Sequence, residues 1–200
     1  MALLLSVLEQ GMIYGILALG VYITYKILDF PDLTVDGSFP FGAAITVRLI
    51  NGFGVPAILT LPIAFLGGAL VGICTGLIHV KLKVRDLLSG IIMMTGLYTI
   101  NLWVAGSGYV AIFDKDNIFN NSFVNSITPG FLVNFKNVII IFLITMVAKY
   151  LLDWYMSTKS GFLLRAVGDN DTIVTSLGVD KGLVKIVGLS IANGLVSLSG

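Results

Sequence analysis

The chain has 200 residues, 56% of them hydrophobic and 12% charged, with a mean hydropathy of +0.98. A soluble domain carries roughly 25% charged residues, so this chain cannot cover a globular surface with polar groups and lipid must solvate much of it. A net charge of +1 argues against a nucleic-acid partner, and the single cysteine, Cys74, excludes an internal disulfide.

A helix crossing a bilayer needs about 20 predominantly apolar residues. The first such run is 3–25, closed by Lys26. Met1 to Ser6 holds no basic residue and the run outlasts a signal h-region, which argues against a cleaved leader. The second run, 35–50, is short and interrupted by Gly37 and Pro40, so it reads as a discontinuous helix. The third, 55–79, has Pro56 and Pro62 in its first turns, where proline is best tolerated. The fourth is 87–104. Residues 105–137, rich in Asn, Asp and Gly, read as a long extramembrane loop. The fifth run is 138–155. A polar stretch with helical pieces covers 156–185, and a sixth run opens at Leu183. The expected fold is therefore all-α, a polytopic membrane protein with five to six spans.

Cytoplasmic loops carry an excess of Lys and Arg. Placing Lys81, Lys83 and Arg85 inside puts Lys26, Lys149, Lys159, Arg165, Lys181 and Lys185 there too. Only Arg48, Lys115 and Lys136 of the twelve basic residues then fall outside. The N-terminus is external in this arrangement.

The stretch Thr34-Val35-Asp36-Gly37-Ser38-Phe39-Pro40 carries the strongest functional signal. An acid, a glycine and a proline stand where lipid tolerates none of them, and backbone freed by such a break must face protein or a wet cavity. Interrupted apolar segments point to a transport path. Thr34, Asp36, Gly37, Ser38, Phe39 and Pro40 are thus candidate lining residues. Asp36 has three readings: a substrate contact, an ion or proton carrier, or a cap of the second helix. Small residues every fourth position mark close helix packing. They occur at Gly68, Gly72 and Gly76, and again at Gly11 and Gly15.

Several absences bound the chemistry. The sequence holds no G-x-x-x-x-G-K-[ST], H-E-x-x-H or G-x-S-x-G, and no cysteine cluster. No catalytic residue, metal site or cofactor is expected.

Two segments carry a family resemblance. One is 11–20 (Gly-Met-Ile-Tyr-Gly-Ile-Leu-Ala-Leu-Gly), continuing through 32–44, Asp32-Leu33-Thr34 to Gly42-Ala43-Ala44. The other is 161–170 (Gly-Phe-Leu-Leu-Arg-Ala-Val-Gly-Asp-Asn), ending at Leu177-Gly178-Val179. Together they resemble the permease subunits of bacterial ABC importers, in the branched-chain amino acid and ribose group, and within it the tryptophan/tyrosine transport permeases. The resemblance implies one transmembrane permease domain over 1–200, shorter at its C-terminus than the family pattern, in the bacterial plasma (inner) membrane. It implies partners: ABC ATPase subunits, a second permease subunit (the same chain or another), a solute-binding protein on the external face, and the bilayer. The substrate it implies is an amino acid or similar small solute.

It also implies that residues 161–180 are the coupling segment that receives force from the ATPase. Phe162, Leu163 and Leu164 would offer apolar contacts, and Arg165 a fork of donors. Gly161, Ala166, Gly168, Asp169, Asn170, Leu177 and Gly178 complete the segment, with Asp169 or Asn170 capping a helix and Gly178 closing it. The alternatives to an ABC permease are an ion-coupled transporter using Asp36 or Glu9, and a non-transporting membrane scaffold.

Overall fold

The computed structural model describes residues 2–106, 135–176 and 178–200. Among these, every regular element is helical. Helix α1 is Ala2–Tyr22 and runs on through a π-helical turn, Ile23–Ile27. Then follow α2, Val35–Phe53; α3, Ala57–Leu82; α4, Asp86–Ala105; α5, Lys136–Met156; α6, Lys159–Asp169; α7, Asp171–Ser176; and α8, Lys181–Ser199. Five stretches are long and apolar enough to cross a bilayer: Leu3–Ile27, α3, α4, α5 and α8. The expected loop at 105–137 lies outside the described residues except at its ends, and α5 already begins at Lys136.

Left-handed glycines end two of these helices, Gly54 (φ 63°) after α2 and Gly106 (φ 78°) after α4. The second helix is not discontinuous. It runs unbroken from Val35 to Phe53, with Pro40 inside it. Pro40 removes one N–H, so only the Asp36 carbonyl lacks its intrahelical donor, and Asp36 is exposed. The interruption lies earlier, in the seven residues 28–34 between the π-helical turn and α2.

Helix α8 is the hub. Half of it is buried in the bundle, against 11% of Leu3–Ile27. Lipid is as apolar as leucine, so helices associate here through close packing and polar contacts. The glycines of α3 provide that packing. A Cβ on Gly72 would run into the Leu189 carbonyl and one on Gly68 into the Asn193 carbonyl, while one on Gly76 would lie 2.9 Å from Ile186 Cγ1. Ser197 Oγ donates to the Ala64 carbonyl at 2.8 Å, one turn further along. Gly42 of α2 abuts Ser197, and a Cβ on Gly20 of α1 would lie 2.6 Å from the Ala192 carbonyl.

Among the described residues, Gly11 and Gly15 form no such groove. A Cβ at either would meet nothing within 4 Å. They lie along a side of α1 where Leu4, Val7, Tyr14 and Tyr22 are exposed. The spacing marks a smooth strip, but it does not say whether a neighbour lies on it.

At one end of the bundle the core passes into α6 and α7. Leu164, Val167 and Val174 join Ile23, Leu28, Phe30, Met156 and Leu189 in one buried cluster. Fully burying a side chain such as Leu164 is worth about 1.5–3 kcal/mol. That packing holds an 11-residue helix too short to persist by itself.

Candidate functional site

The break before α2 closes on itself through a buried polar cluster. The π-helical turn ends with the Leu28 N–H on the Ile23 carbonyl and the Phe30 N–H on the Thr24 carbonyl, both at 2.9 Å. Asp29 then takes a left-handed conformation (φ 50°), which aspartate tolerates. The chain reverses into Asp32. Asp32 Oδ1 accepts from the Thr34 N–H at 2.9 Å, and Oδ2 accepts from Asn193 Nδ2 of α8 at 2.7 Å. Asn193 Oδ1 accepts from Ser38 Oγ at 2.6 Å. Ser38 has one proton to donate, so this short contact takes it ahead of the Thr34 carbonyl at 3.1 Å. Thr34 Oγ1 and Thr75 Oγ1 of α3 share a hydrogen bond at 3.1 Å. All five side chains are buried. Gly90 lets α4 close over the turn, since a Cβ there would lie 2.8 Å from the Leu33 nitrogen.

The six lining candidates therefore divide. Thr34 and Ser38 belong to this internal cluster, and Gly37 packs against Leu97, whose Cδ1 a Cβ would approach to 2.8 Å. Phe39 is half-buried and stacks on Tyr14, with ring centroids 6.0 Å apart. Asp36 and Pro40 lie on an exposed side of α2, and Leu33 just before the helix is exposed as well. Asp36 is not the cap. Thr34 holds that position without a side-chain capping bond, and Asp32 orders the entry instead.

The segment 159–176 forms α6 and α7. Thr158 caps α6, its side chain accepting from the Gly161 N–H at 3.4 Å. Gly161, Leu164, Val167 and Gly168 turn inward. A Cβ on Gly161 would lie 2.6 Å from Met156 Cα, and one on Gly168 would strike the Ile27 carbonyl. Phe162, Arg165 and Asp169 stand at helical spacing on the exposed side. Leu164 does not offer a contact to a partner, because it is wholly buried. Its 3.6-residue phase, opposite Phe162 and Arg165, puts it in the core. Leu163 and Ala166 are half-buried. Asn170, not Asp169, caps α7, its Oδ1 accepting from the Thr172 N–H at 3.0 Å. Gly178 takes φ 75° and its N–H bonds the Thr175 carbonyl at 3.1 Å. Leu177 lies outside the described residues.

Three contributors escape sequence reasoning at this site. Asp32 stands four residues before the favoured Asp36, and its D-x-T pattern is the signature of a side chain folding back on the backbone two residues on. Asn193 is an amide in the apolar run Ile191-Ala192-Asn193-Gly194, and intramembrane amides serve as interhelical glue. Asn101 of α4 donates to the Gly37 carbonyl at 3.1 Å. Its Oδ1 is buried with no partner, the single such side-chain atom among the described residues. The described residues hold no cluster of three metal-ligating side chains.

The model of a family described as the permease component of the branched-chain amino acid transport system matches residues 3–200. The chain belongs to that family. A tyrosine transport system permease protein of Clostridioides difficile is 42% identical over 198 residues, 98% of this chain and 62% of that protein. An uncharacterized protein of Rickettsia prowazekii is 30% identical over 201 residues, 100% of this chain and 67% of that protein. A ribose import permease protein of Haemophilus influenzae is 25% identical over 198 residues, covering 98% of this chain and 59% of its own length. The chain thus spans about three fifths of the first and last of these relatives. No solved structure matches it. The permease family and the five apolar helices together make this a multi-pass membrane protein.

Proposed function

We propose that the chain is the transmembrane subunit of an ABC importer for a small amino acid, with an aromatic one such as tyrosine the favoured substrate. The observation that carries this reading is α6. Its inner face is seated on the bundle by Gly161, Leu164 and Gly168, and its outer face leaves Phe162 and Arg165 bare. A helix held that way passes on an applied force rather than absorbing it. Gly168 rests on Ile27 and Leu28, and four residues separate Ile27 from Asp32. Displacing α6 therefore moves the linker and the start of α2 together.

In this reading two permease subunits enclose the path between them, and the open side of α2, with Asp36 and Pro40, lines it. ATP hydrolysis belongs to separate cytoplasmic ATPase subunits docked on α6, and this chain is not itself an enzyme. A solute-binding protein delivers substrate on the external face. The N-terminus is external and the membrane is the bacterial plasma membrane. The two access states are two packings of the helices, biased by the nucleotide state of the ATPase. The name of the Clostridioides difficile relative supports the substrate class. The ion-coupled alternative gains nothing from the geometry, since neither Asp36 nor Glu9 has a polar partner among the described residues.

Arg165→Glu tests the coupling role. The residue is exposed, so membrane insertion should be unchanged while recovery of the ATPase with the purified permease falls at least tenfold. Recovery at the wild-type yield would contradict the reading.

A further inference from the structure

We infer that the pocket between the α3–α4 corner and the start of α8 is a binding site for the phosphate headgroup of an anionic membrane lipid. The pocket has a volume of about 480 Å³ and is lined by His79, Lys83, Arg85, Asp86, Lys181 and Lys185 among others. Residues almost one hundred positions apart in sequence bring four cations to one opening. Its two carboxylates, Asp86 and Asp180, leave the four cations in excess. Asp180 Oδ1 accepts from the Gly182 N–H at 2.8 Å, and Asp86 Oδ1 lies 3.5 Å from His79 Nδ1. The side chains of Lys83, Arg85 and Lys185 have no ion pair or hydrogen bond among the described residues.

The walls are fixed. Gly182 packs on Val80, whose Cγ1 a Cβ would approach to 2.5 Å. Lys83 closes α3 in a left-handed conformation (φ 54°), and His79 Nδ1 lies 2.9 Å from the Val84 carbonyl with its ring edge-on to Phe30. Basic pockets between the ends of membrane helices suit anionic headgroups. The surroundings favour a lipid over an acidic protein. Leu82, Leu87 and Leu183, each beside a lining residue in the chain, are at least half exposed. Acyl chains attached to a bound headgroup would cover such residues.

The test is calorimetric titration of dioctanoyl phosphatidylglycerol into the full chain in zwitterionic micelles. Each cation near an anionic headgroup contributes about fivefold in affinity, or about 1 kcal/mol. Lys83→Asn combined with Lys185→Gln should therefore weaken binding about 30-fold, asparagine being chosen because it accepts the left-handed conformation. Lys149→Gln, outside the pocket, should leave it unchanged. Inorganic phosphate at the same concentration should not compete. Equal affinity of the double variant and the wild type would overturn the inference. So would full competition by inorganic phosphate, which would make this a free-anion site. Loss of ATPase copurification with lipid affinity intact would assign the pocket to the protein partner and would equally overturn it. Arg85→Gln is the second variant should the double variant melt early in lipid-free micelles.

Discussion

Replacing Asp32 by alanine removes an acceptor that two elements share. The Thr34 N–H and one Asn193 Nδ2 hydrogen lose their partner together. The site is buried, so water does not substitute freely. Each buried donor left unsatisfied costs about 1–3 kcal/mol, which gives about 2–6 kcal/mol for the pair. Around 200 residues, a loss of 1 kcal/mol lowers the melting temperature by about 2–4 °C, so Asp32→Ala should melt roughly 4–24 °C below wild type. Asp32→Asn should behave differently. Its Oδ1 still accepts from Thr34, and its amide can face a flipped Asn193, whose oxygen then accepts. The Asn193 amide would then point at Ser38 Oγ, which is free to turn its proton to the Thr34 carbonyl, 3.1 Å away. The flip gives up the Asn193 amide's bond to the Leu189 carbonyl at 3.1 Å, one donor against the two that alanine strands, so the asparagine variant should lose less than alanine loses. Thermal unfolding in detergent micelles measures both. An unshifted alanine variant, or an asparagine variant as damaged as alanine, would refute this hydrogen-bond scheme.

Gly72→Leu should destabilise the fold by about 1–3 kcal/mol, because the new side chain meets the Leu189 backbone, which cannot rotate away. Gly11→Leu should leave thermal stability within about 0.5 kcal/mol, since no described residue lies within 4 Å of a Cβ there; equal losses in the two variants would deny that α3 and α1 differ in this way. Gly168→Ala should lift α6 from the Ile27 carbonyl. The expected result is faster proteolysis around 159–176 together with reduced substrate-driven ATP turnover by the assembled transporter, and wild-type values of both would count against a seated helix.

Much of this architecture is legible in the residues. The apolar runs at 55–79 and 87–104 foretell α3 and α4 because membrane length and composition leave few alternatives. The Gly68, Gly72 and Gly76 register foretells a close approach, but not that α8 is the partner, since spacing identifies a groove and not what fills it. Gly11 and Gly15 show the same limit from the other side. Asp36 was the conspicuous acid in the chain and Asp32 the engaged one. The difference depends on Asn193, 161 residues away from Asp32, which no local pattern connects to it. Pro40 reads as a helix break because proline removes a donor, yet α2 continues past it, and the interruption falls in 28–34. Leu164 is apolar like Phe162, and only its helical phase separates a core residue from an exposed one.

The most direct test of the central claim is thiol labelling at the outer face of α6. With Cys74 replaced by serine, Arg165→Cys should react with a membrane-impermeant maleimide in inverted vesicles and not in intact spheroplasts, and the copurifying ATPase should block the reaction. Labelling from outside the cell, or labelling indifferent to the ATPase, would contradict the account.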